Sequence, residues 1–392
     1  MALRDNTNPI PVEAPAAAAP DGAGPPELET GGLLTVDLGA LAANYRALRT
    51  RVAPAECSAV VKADAYGCGV EPAVRTLSEA GCNTFFVAHL AEGRAVRALA
   101  PDATVYALNG LPPGSASAFA DAHVRPALSS LQELAEWDAF CTTSGWRGGA
   151  ALHFDTGMNR LGIAADEAAA LASRVKMPDH GITLVMSHFA CADEPAHALN
   201  NRQVQLFREI RSMFRGIPAS LANSAGIFLG SSAHCDIVRP GYALYGGNPT
   251  PAGANPMTAV IGLRARIVQV RTVGRGETVG YGATWTAHRP SRIAIVSAGY
   301  GDGYQRAASG PEATAGAEML IGGARCRVVG RVSMDLLAVD VTALPDNAAR
   351  RGEWATLIGG DVDIDTLAGQ CRTIGYELMC TLGHRYARVW KR

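Results

Sequence analysis

A lysine at position 62 follows the apolar run Ala59-Val60-Val61 and precedes Ala63-Asp64-Ala65-Tyr66-Gly67. An amine at the end of an apolar strand has two readings. It can snorkel to water with its stem along apolar surface. Alternatively it is desolvated, its pKa lowered by apolar walls, and forms a Schiff base with a carbonyl cofactor. Other polar groups stand at comparable places, each at the downstream end of an apolar run. They are Thr156-Gly157-Met158-Asn159-Arg160, Ser187-His188, Asn223-Ser224 and Arg239-Pro240-Gly241-Tyr242. Ser224, with the backbone amides near it and near Gly241, is suited to cradle a phosphate dianion. A lysine, a dianion cradle and a buried arginine together suggest pyridoxal 5'-phosphate (PLP).

For these groups to converge, the runs that carry them must be neighbours. From Gly32 onwards strand-like and helix-like stretches alternate, beginning with a strand at 33–37 and a helical pattern through Leu41, Tyr45 and Leu48. Apolar runs follow at 58–62, 84–88, 104–108, 124–128, 150–155, 182–188, 219–223 and 237–241, each with a helix candidate behind it. That count and spacing predict a (β/α)8 TIM-like barrel with its chemistry at the carboxyl ends of the strands. Lys62 then ends the first strand, and the loops after the seventh and eighth hold the phosphate. A doubly wound open sheet has the same periodicity and stays open as an alternative.

After Met257 the helices mostly vanish. Strands are expected at 264–273, 292–297, 318–321, 325–329, 336–341 and 353–358, then a helix at 363–371 and a strand-like end over 377–390. The fold class is therefore α/β plus β. A disordered Pro/Ala-rich tail is expected over 1–31, the barrel over 32–257 and a C-terminal mainly β domain over 258–392, with the linker near Pro249-Thr250-Pro251 and Gly253.

Composition narrows the class. Hydrophobic residues make up 48% and charged residues 18%, which suits a soluble protein with filled cores. The net charge of -1 offers no attraction to nucleic acid or an anionic membrane, and no apolar run is long enough to span a bilayer. The nine cysteines contain no Cys-x-x-Cys pair and read as reduced thiols, and no secretion signal opens the chain, so cytoplasm is the expected location. His188, Cys191, Asp193 and His197, like Cys380 and His384, do not match a closed zinc pattern, and no metal is expected. Cys68 reads as a buried thiol and Trp137, Trp146 and Trp285 as packing residues. The ending Arg385, Arg388, Lys391 and Arg392 reads as a solvated surface.

Taken in order, eight motifs resemble the alanine racemases, PLP enzymes built from a barrel and a β domain. They are Val61-Lys62-Ala63-Asp64-Ala65-Tyr66-Gly67, Asp155-Thr156-Gly157-Met158-Asn159-Arg160-Leu161-Gly162, Ser187-His188-Phe189-Ala190, Ala222-Asn223-Ser224-Ala225, Arg239-Pro240-Gly241, Gly280-Tyr281-Gly282-Ala283-Thr284, Gly299-Tyr300-Gly301-Asp302-Gly303-Tyr304 and Val332-Ser333-Met334-Asp335. Each alone is weak; their order makes the signal specific, and it covers nearly the whole chain after the tail.

The resemblance implies roles residue by residue. Lys62 would hold PLP and, once freed by substrate, act as one catalytic base. Tyr281 matches a second base on the opposite face of the substrate Cα, since racemisation needs one group to remove a proton and another to return it. His188 matches a histidine that, with an arginine, tunes this tyrosine, and Arg239 an arginine that donates to the pyridine nitrogen and limits carbanion lifetime. Tyr66, Ser224, Gly241 and Tyr376 match phosphate ligands, with Asn223 and Tyr242 also expected on the cofactor. Arg160 and Met334 match contacts to the substrate carboxylate, and Tyr300 and Asp335 line the entrance. Tyr281, Tyr300 and Met334 match residues supplied by a partner subunit, so a head-to-tail homodimer with composite sites is implied.

One position departs from the family. Many members carry a lysine, often carbamylated, where this chain has His153. A histidine holds no stable carbamate, and protonated it would repel Arg160. A bound anion such as chloride, or a different hold on Arg160, is then expected. The leading reading is interconversion of L- and D-alanine, with D-alanine feeding peptidoglycan. A broad-specificity or serine-preferring racemase is the runner-up. A decarboxylase, aldolase or dehydratase is disfavoured by Gly280-Tyr281-Gly282, and a PLP-binding homeostasis protein by the second domain.

Overall fold

The computed structural model describes residues 24–174 and 181–392. Most of the tail expected over 1–31 lies outside the described residues.

The eight barrel strands form where the apolar runs stand. They are Glu56–Cys57 continued by Ala59–Val60, Thr84–Val87, Thr104–Ala107, Arg125–Leu128, Ala150–Asp155, Ile182–Met186, Ala219–Ser220 and Ile237–Val238. Each neighbour in this series from Ala59–Val60 to Ala219–Ser220 pairs in parallel. Ile237–Val238 then returns to pair with Glu56–Cys57, and Asn223 bridges Arg239. The ring closes, which decides against an open sheet. Strands covered on both faces must be apolar throughout, and Thr84–Val87 and the first five residues of Ala150–Asp155 are buried without a break.

The second sheet runs in the order Ser291–Val296, Leu337–Asp340, Ala324–Val329, Glu318–Ile321, Trp354–Ile358, Ile261–Val273, Gly32–Asp37 and Ala387–Lys391. Ile261–Val273 also pairs with Ser291–Val296 through a register shift between Ile267 and Gln269, which curls six strands into a ring. Gly32–Asp37 lies in this sheet, antiparallel to Ile261–Val273 and parallel to Ala387–Lys391. The boundary that placed it with the barrel at 32–257 is corrected here. Leu33-Leu34-Thr35-Val36 is apolar on both faces, and such a run specifies a strand without naming its partners.

Two further corrections concern the carboxyl end. Residues 377–381, read as strand, belong to the helix Gly375–Thr381, and only Ala387–Lys391 is strand. Leu378, Met379 and Leu382 recur at helical spacing and are buried. Arg388, read as solvated, is 6% exposed. The helix at 363–371 forms as Ile364–Gln370, with the Asp363 carboxylate accepting from the Thr366 amide.

Helix Leu38–Val52 joins the two units. Its Asn44, buried, donates to the Leu244 and Thr258 carbonyls and accepts from the Thr258 amide. Among the described residues no helix is long and apolar enough to cross a membrane. Asn44→Ala strands buried backbone groups at this joint and is expected to cost roughly 2–4 kcal/mol. Equilibrium urea unfolding measures it, and an unchanged midpoint would show that the joint is not held by this side chain.

Candidate active site

The first barrel strand stops at Val60, and the Val61 amide still donates to Phe86 O at 2.9 Å. Lys62 then opens a turn in which Ala63, Asp64, Ala65 and Tyr66 all have φ of 53–55°. L-residues pay about 1–2 kcal/mol each in this left-handed region. Local contacts offset part of that. Glu92 Oε1 accepts from the Ala63 amide at 2.8 Å, Asp64 Oδ1 from Val70 at 2.7 Å, and the Gly67 and Gly69 amides donate back to Ala63 and Asp64. Gly67 has φ 77°, and a Cβ there would stand 2.3 Å from Met379 O. The turn brings Lys62 and Tyr66 to one cavity. Only Gly67 and Gly69 hint at it in the sequence.

That cavity, of about 870 Å³, is lined by Lys62, Tyr66, Arg160, His188, Asn223, Ser224, Arg239, Gly241 and Tyr376. All nine were expected. Arg239 is 3% exposed; it donates to Ser220 Oγ at 2.5 Å, to Ser187 O at 2.6 Å and to His188 Nδ1 at 3.2 Å. Asn223 Oδ1 accepts from the Gly226 amide, and Ser224 Oγ from the amides of Gly241 and Ala243. A Cβ on Gly241 would stand 2.3 Å from the Tyr66 hydroxyl. Tyr66 stacks on Tyr245, and Tyr376 on Tyr242 at 3.9 Å between ring centres. Tyr242 donates its hydroxyl to Asp365, so it stands behind Tyr376 rather than in the lining. Asn109, Glu377 and Cys380 also line the cavity, and no sequence motif marked them.

The electrostatics favour an anionic ligand. Lys62, Arg160 and Arg239 face a space whose lining includes one carboxylate, Glu377, which accepts from the Thr373 hydroxyl. Burial, then the charge of Arg160, lowers the Lys62 pKa below the ordinary lysine value. Burial lowers Arg239 to about 10, and burial followed by Arg239 holds His188 well below 6.5. His153 is buried, with Ser129 Oγ 3.4 Å from its Nδ1. Burial, then Arg239 and Arg160, brings it to about 4 against the pull of Asp155, so it is a neutral imidazole and does not repel Arg160. Asp155 is engaged by the amides of Gly157, Met158 and Asn159. Among the described residues Arg160 makes no hydrogen bond or ion pair, so its charge is left for a ligand. The donor set and the Gly241 cradle, too narrow for any side chain, fit the phosphate and ring of PLP.

Four expected residues lie elsewhere. Tyr281 is 74% exposed on a turn that lines a different concavity with Arg331 and Leu336. Tyr300, Met334 and Asp335 sit together on the β domain, where Gly301 N donates to Met334 O, and Arg385 pairs with both Asp335 and Asp302. None of the four lines the Lys62 cavity. All nine cysteines are free, and the described residues place no group of three or more His, Cys, Asp or Glu side chains to hold a metal ion.

The neutral His153 carries a pH consequence. Its folded pKa of about 4 lies below the ordinary 6.5, so between these values the unfolded chain binds the extra proton. Stability attached to this group is complete above pH 6.5 and falls as pH drops towards 4. His153→Gln is expected to lose less stability over that window than wild type. Urea midpoints at stepped pH test this, and equal losses would reject it.

Residues 36–249 match the family described as alanine racemase, N-terminal domain, and residues 260–390 the alanine racemase C-terminal domain. The chain is 53% identical over 360 residues to an alanine racemase of Methylobacterium sp. (strain 4-46), covering 92% of this chain and 98% of that one. It is 46% identical to a biosynthetic alanine racemase of Agrobacterium fabrum, covering 91% and 93%. Among solved structures, the alanine racemase of Bartonella henselae with covalently bound pyridoxal phosphate superposes with a TM-score of 0.87 at 35% identity, over 92% of this chain and 99% of that one. The biosynthetic alanine racemase of Pseudomonas aeruginosa gives 0.84 at 35% identity, over 93% and 100%. With the barrel, the β domain and the lysine cavity in place, the chain belongs to the alanine racemase family, PLP-dependent isomerases.

Proposed function

We propose that this chain interconverts L- and D-alanine with PLP as cofactor, using Lys62 and Tyr281 of a second copy as the two acid–base groups. The observation that carries the reading is the convergence of the Lys62 amine with Arg239, Ser224, Gly241 and Tyr66 in one cavity. PLP, bound at Lys62, supplies the electron withdrawal that weakens the Cα–H bond of an attached amino acid. Tyr66, Ser224, Gly241 and Tyr376 would hold its phosphate, with Asn223 beside them in the lining and Tyr242 stacked behind Tyr376. Arg239, fixed by Ser220 and Ser187, presents a donor that keeps its proton, and His188 leans on it as a neutral acceptor. Burial lowers the Lys62 pKa, which favours the neutral amine, the form that can take a proton. Arg160 receives the substrate carboxylate, assisted by Met334 of the second copy.

Exposure supports the second copy. Tyr281, Tyr300, Met334 and Leu336 are all exposed on the β domain, and Leu161 and Ile374, at the mouth of the Lys62 cavity, are exposed too. Head-to-tail pairing covers both sets and delivers Tyr281 to the face opposite Lys62, with Tyr300 and Asp335 at the entrance. The enzyme acts in the cytoplasm and supplies D-alanine for peptidoglycan. The relative called biosynthetic supports that role.

Loss of optical activity from L-alanine, L-serine and L-lysine, followed in parallel on PLP-loaded protein, tests the activity. Alanine is expected to racemise far faster; serine or lysine matching it would replace this reading with a broad-specificity racemase. Lys62→Ala is expected to lose the covalent cofactor linkage and the activity together. Tyr281→Phe keeps PLP and loses about 100-fold or more of kcat. Specific activity is expected to fall on dilution into monomer, and full activity in a monomeric preparation would exclude the composite site.

A further inference from the structure

The turn that begins at Lys62 is held at its far side by the last strand of the chain. Arg388 Nη1 donates to Gly67 O at 2.6 Å, and Nη2 donates to the Leu382 and Gly383 carbonyls at 3.2 and 3.4 Å. Trp390 Nε1 donates to Cys68 O at 2.8 Å, and its ring closes on Gly69, where an added Cβ would meet it at 3.0 Å. Helix Gly375–Thr381 backs onto the same segment, with Met379 O against Gly67. Four consecutive non-glycine residues at φ 53–55° persist only where their surroundings over-determine them. From the barrel side that hold is Glu92 on the Ala63 amide. From the other side it is Arg388 and Trp390.

Arg388 is unusual in its own right. It is buried, its Nε has no partner, and among the described residues no carboxylate stands within ion-pair distance of it. A buried guanidinium without a counter-charge is costly, so its one evident use is the set of carbonyls it gathers. Arg388 also pairs with Leu34, in the strand that enters the same sheet from the amino-terminal side. The edge of the β sheet is thereby tied to the backbone of the reactive lysine.

We propose that Arg388 and Trp390 are positioning residues for racemisation: by fixing the Gly67 and Cys68 carbonyls they hold the left-handed turn that aims the Lys62 amine into its cavity. The proposal rests on the reading of Lys62 as the reactive amine. A mere staple between sheet and barrel would lower stability on removal and leave Lys62 unaltered. A positioning pair must change Lys62 itself. With the turn loosened, the Lys62 nitrogen reaches water more often, which favours its protonated form, so that in the PLP-loaded protein it would lose its proton at a higher pH.

The experiment compares PLP-loaded wild type with Trp390→Phe, which keeps the ring body and removes the donor, and Arg388→Met. Three properties are read: amide hydrogen exchange over residues 63–69, the pH at which the absorbance of the lysine-bound cofactor changes, and kcat and KM for alanine. The chain has lysines only at 62, 176 and 391, so borohydride fixation and peptide mass identify the one that carries the cofactor. Expected are about tenfold faster exchange confined to the turn, an upward shift of the absorbance transition, and a fall in kcat of about tenfold with KM changed less than about threefold. If Arg388→Met does not fold, Trp390→Phe carries the test. Wild-type exchange in a folded variant overturns the proposal, and so does faster exchange with unaltered transition and kcat. A wild-type protein that loads PLP and does not racemise alanine overturns the functional reading instead. The exchange and absorbance arms then still decide this one.

Discussion

The structure depends on a run of backbone that L-amino acids resist. Ala63, Asp64, Ala65 and Tyr66 turn left-handed immediately after Lys62, at about 1–2 kcal/mol each. Summed, that is a sizeable part of the roughly 5–15 kcal/mol by which proteins of this kind are stable. Much of what surrounds the turn can be understood as holding it. Glu92 accepts from its first amide, Asp64 caps the helix that follows, Gly67 lets the chain pass Met379, and Arg388 and Trp390 take its last carbonyls. An ordinary right-handed continuation would send Lys62 and Tyr66 along a helix. The left-handed one sets both on the cavity wall, Tyr66 against Gly241 and Lys62 towards Arg160.

Charge in that cavity is arranged by subtraction as much as by addition. Three cations face it, while the two imidazoles nearest them, His153 and His188, are kept neutral by burial and by Arg239. The neighbouring carboxylates are engaged, Asp155 by backbone amides and Glu377 by Thr373. A ligand with a phosphate and a carboxylate therefore meets a lining whose three cations outnumber its one carboxylate, Glu377. Burial, then the charge of Arg160, lowers the Lys62 pKa from the ordinary lysine value.

The two domains are interleaved rather than strung in series. The strand Gly32–Asp37 begins the chain's described fold inside the second sheet, before the barrel starts. Helix Gly375–Thr381 and strand Ala387–Lys391 return from that sheet to the barrel mouth, bringing Tyr376 into the lining and Arg388 to the turn. A lone barrel of this sequence would lack both Tyr376 in the cavity lining and the contacts of Arg388 and Trp390 with the turn after Lys62.

Much of this was legible from residues alone. Apolar runs of five to seven residues, each followed by a helical pattern, place the strands and helices because the period of burial is a local property. Closure of the ring depends on Ile237–Val238 returning to Glu56–Cys57. Lys62, His188, Ser224, Arg239 and Gly241 could be named because each stands at or just after the end of such a run, Arg160 because it follows one in a polar segment, and Tyr376 only because the family resemblance implies it. Tertiary structure decided what depends on distant neighbours. Leu33-Leu34-Thr35-Val36 could not choose its sheet, since both faces are apolar and the partners lie over two hundred residues away. Ala-Asp-Ala-Tyr carries no sign of a left-handed turn, because its support comes from residues 92, 379, 388 and 390. His153 carries a proton or not according to the arginines folded against it, and Arg388 reads as solvated until the sheet buries it. Sequence determines where a strand forms and what it offers chemically. Only packing determines handedness, pairing and charge, because those energies arise between groups that the chain brings together last.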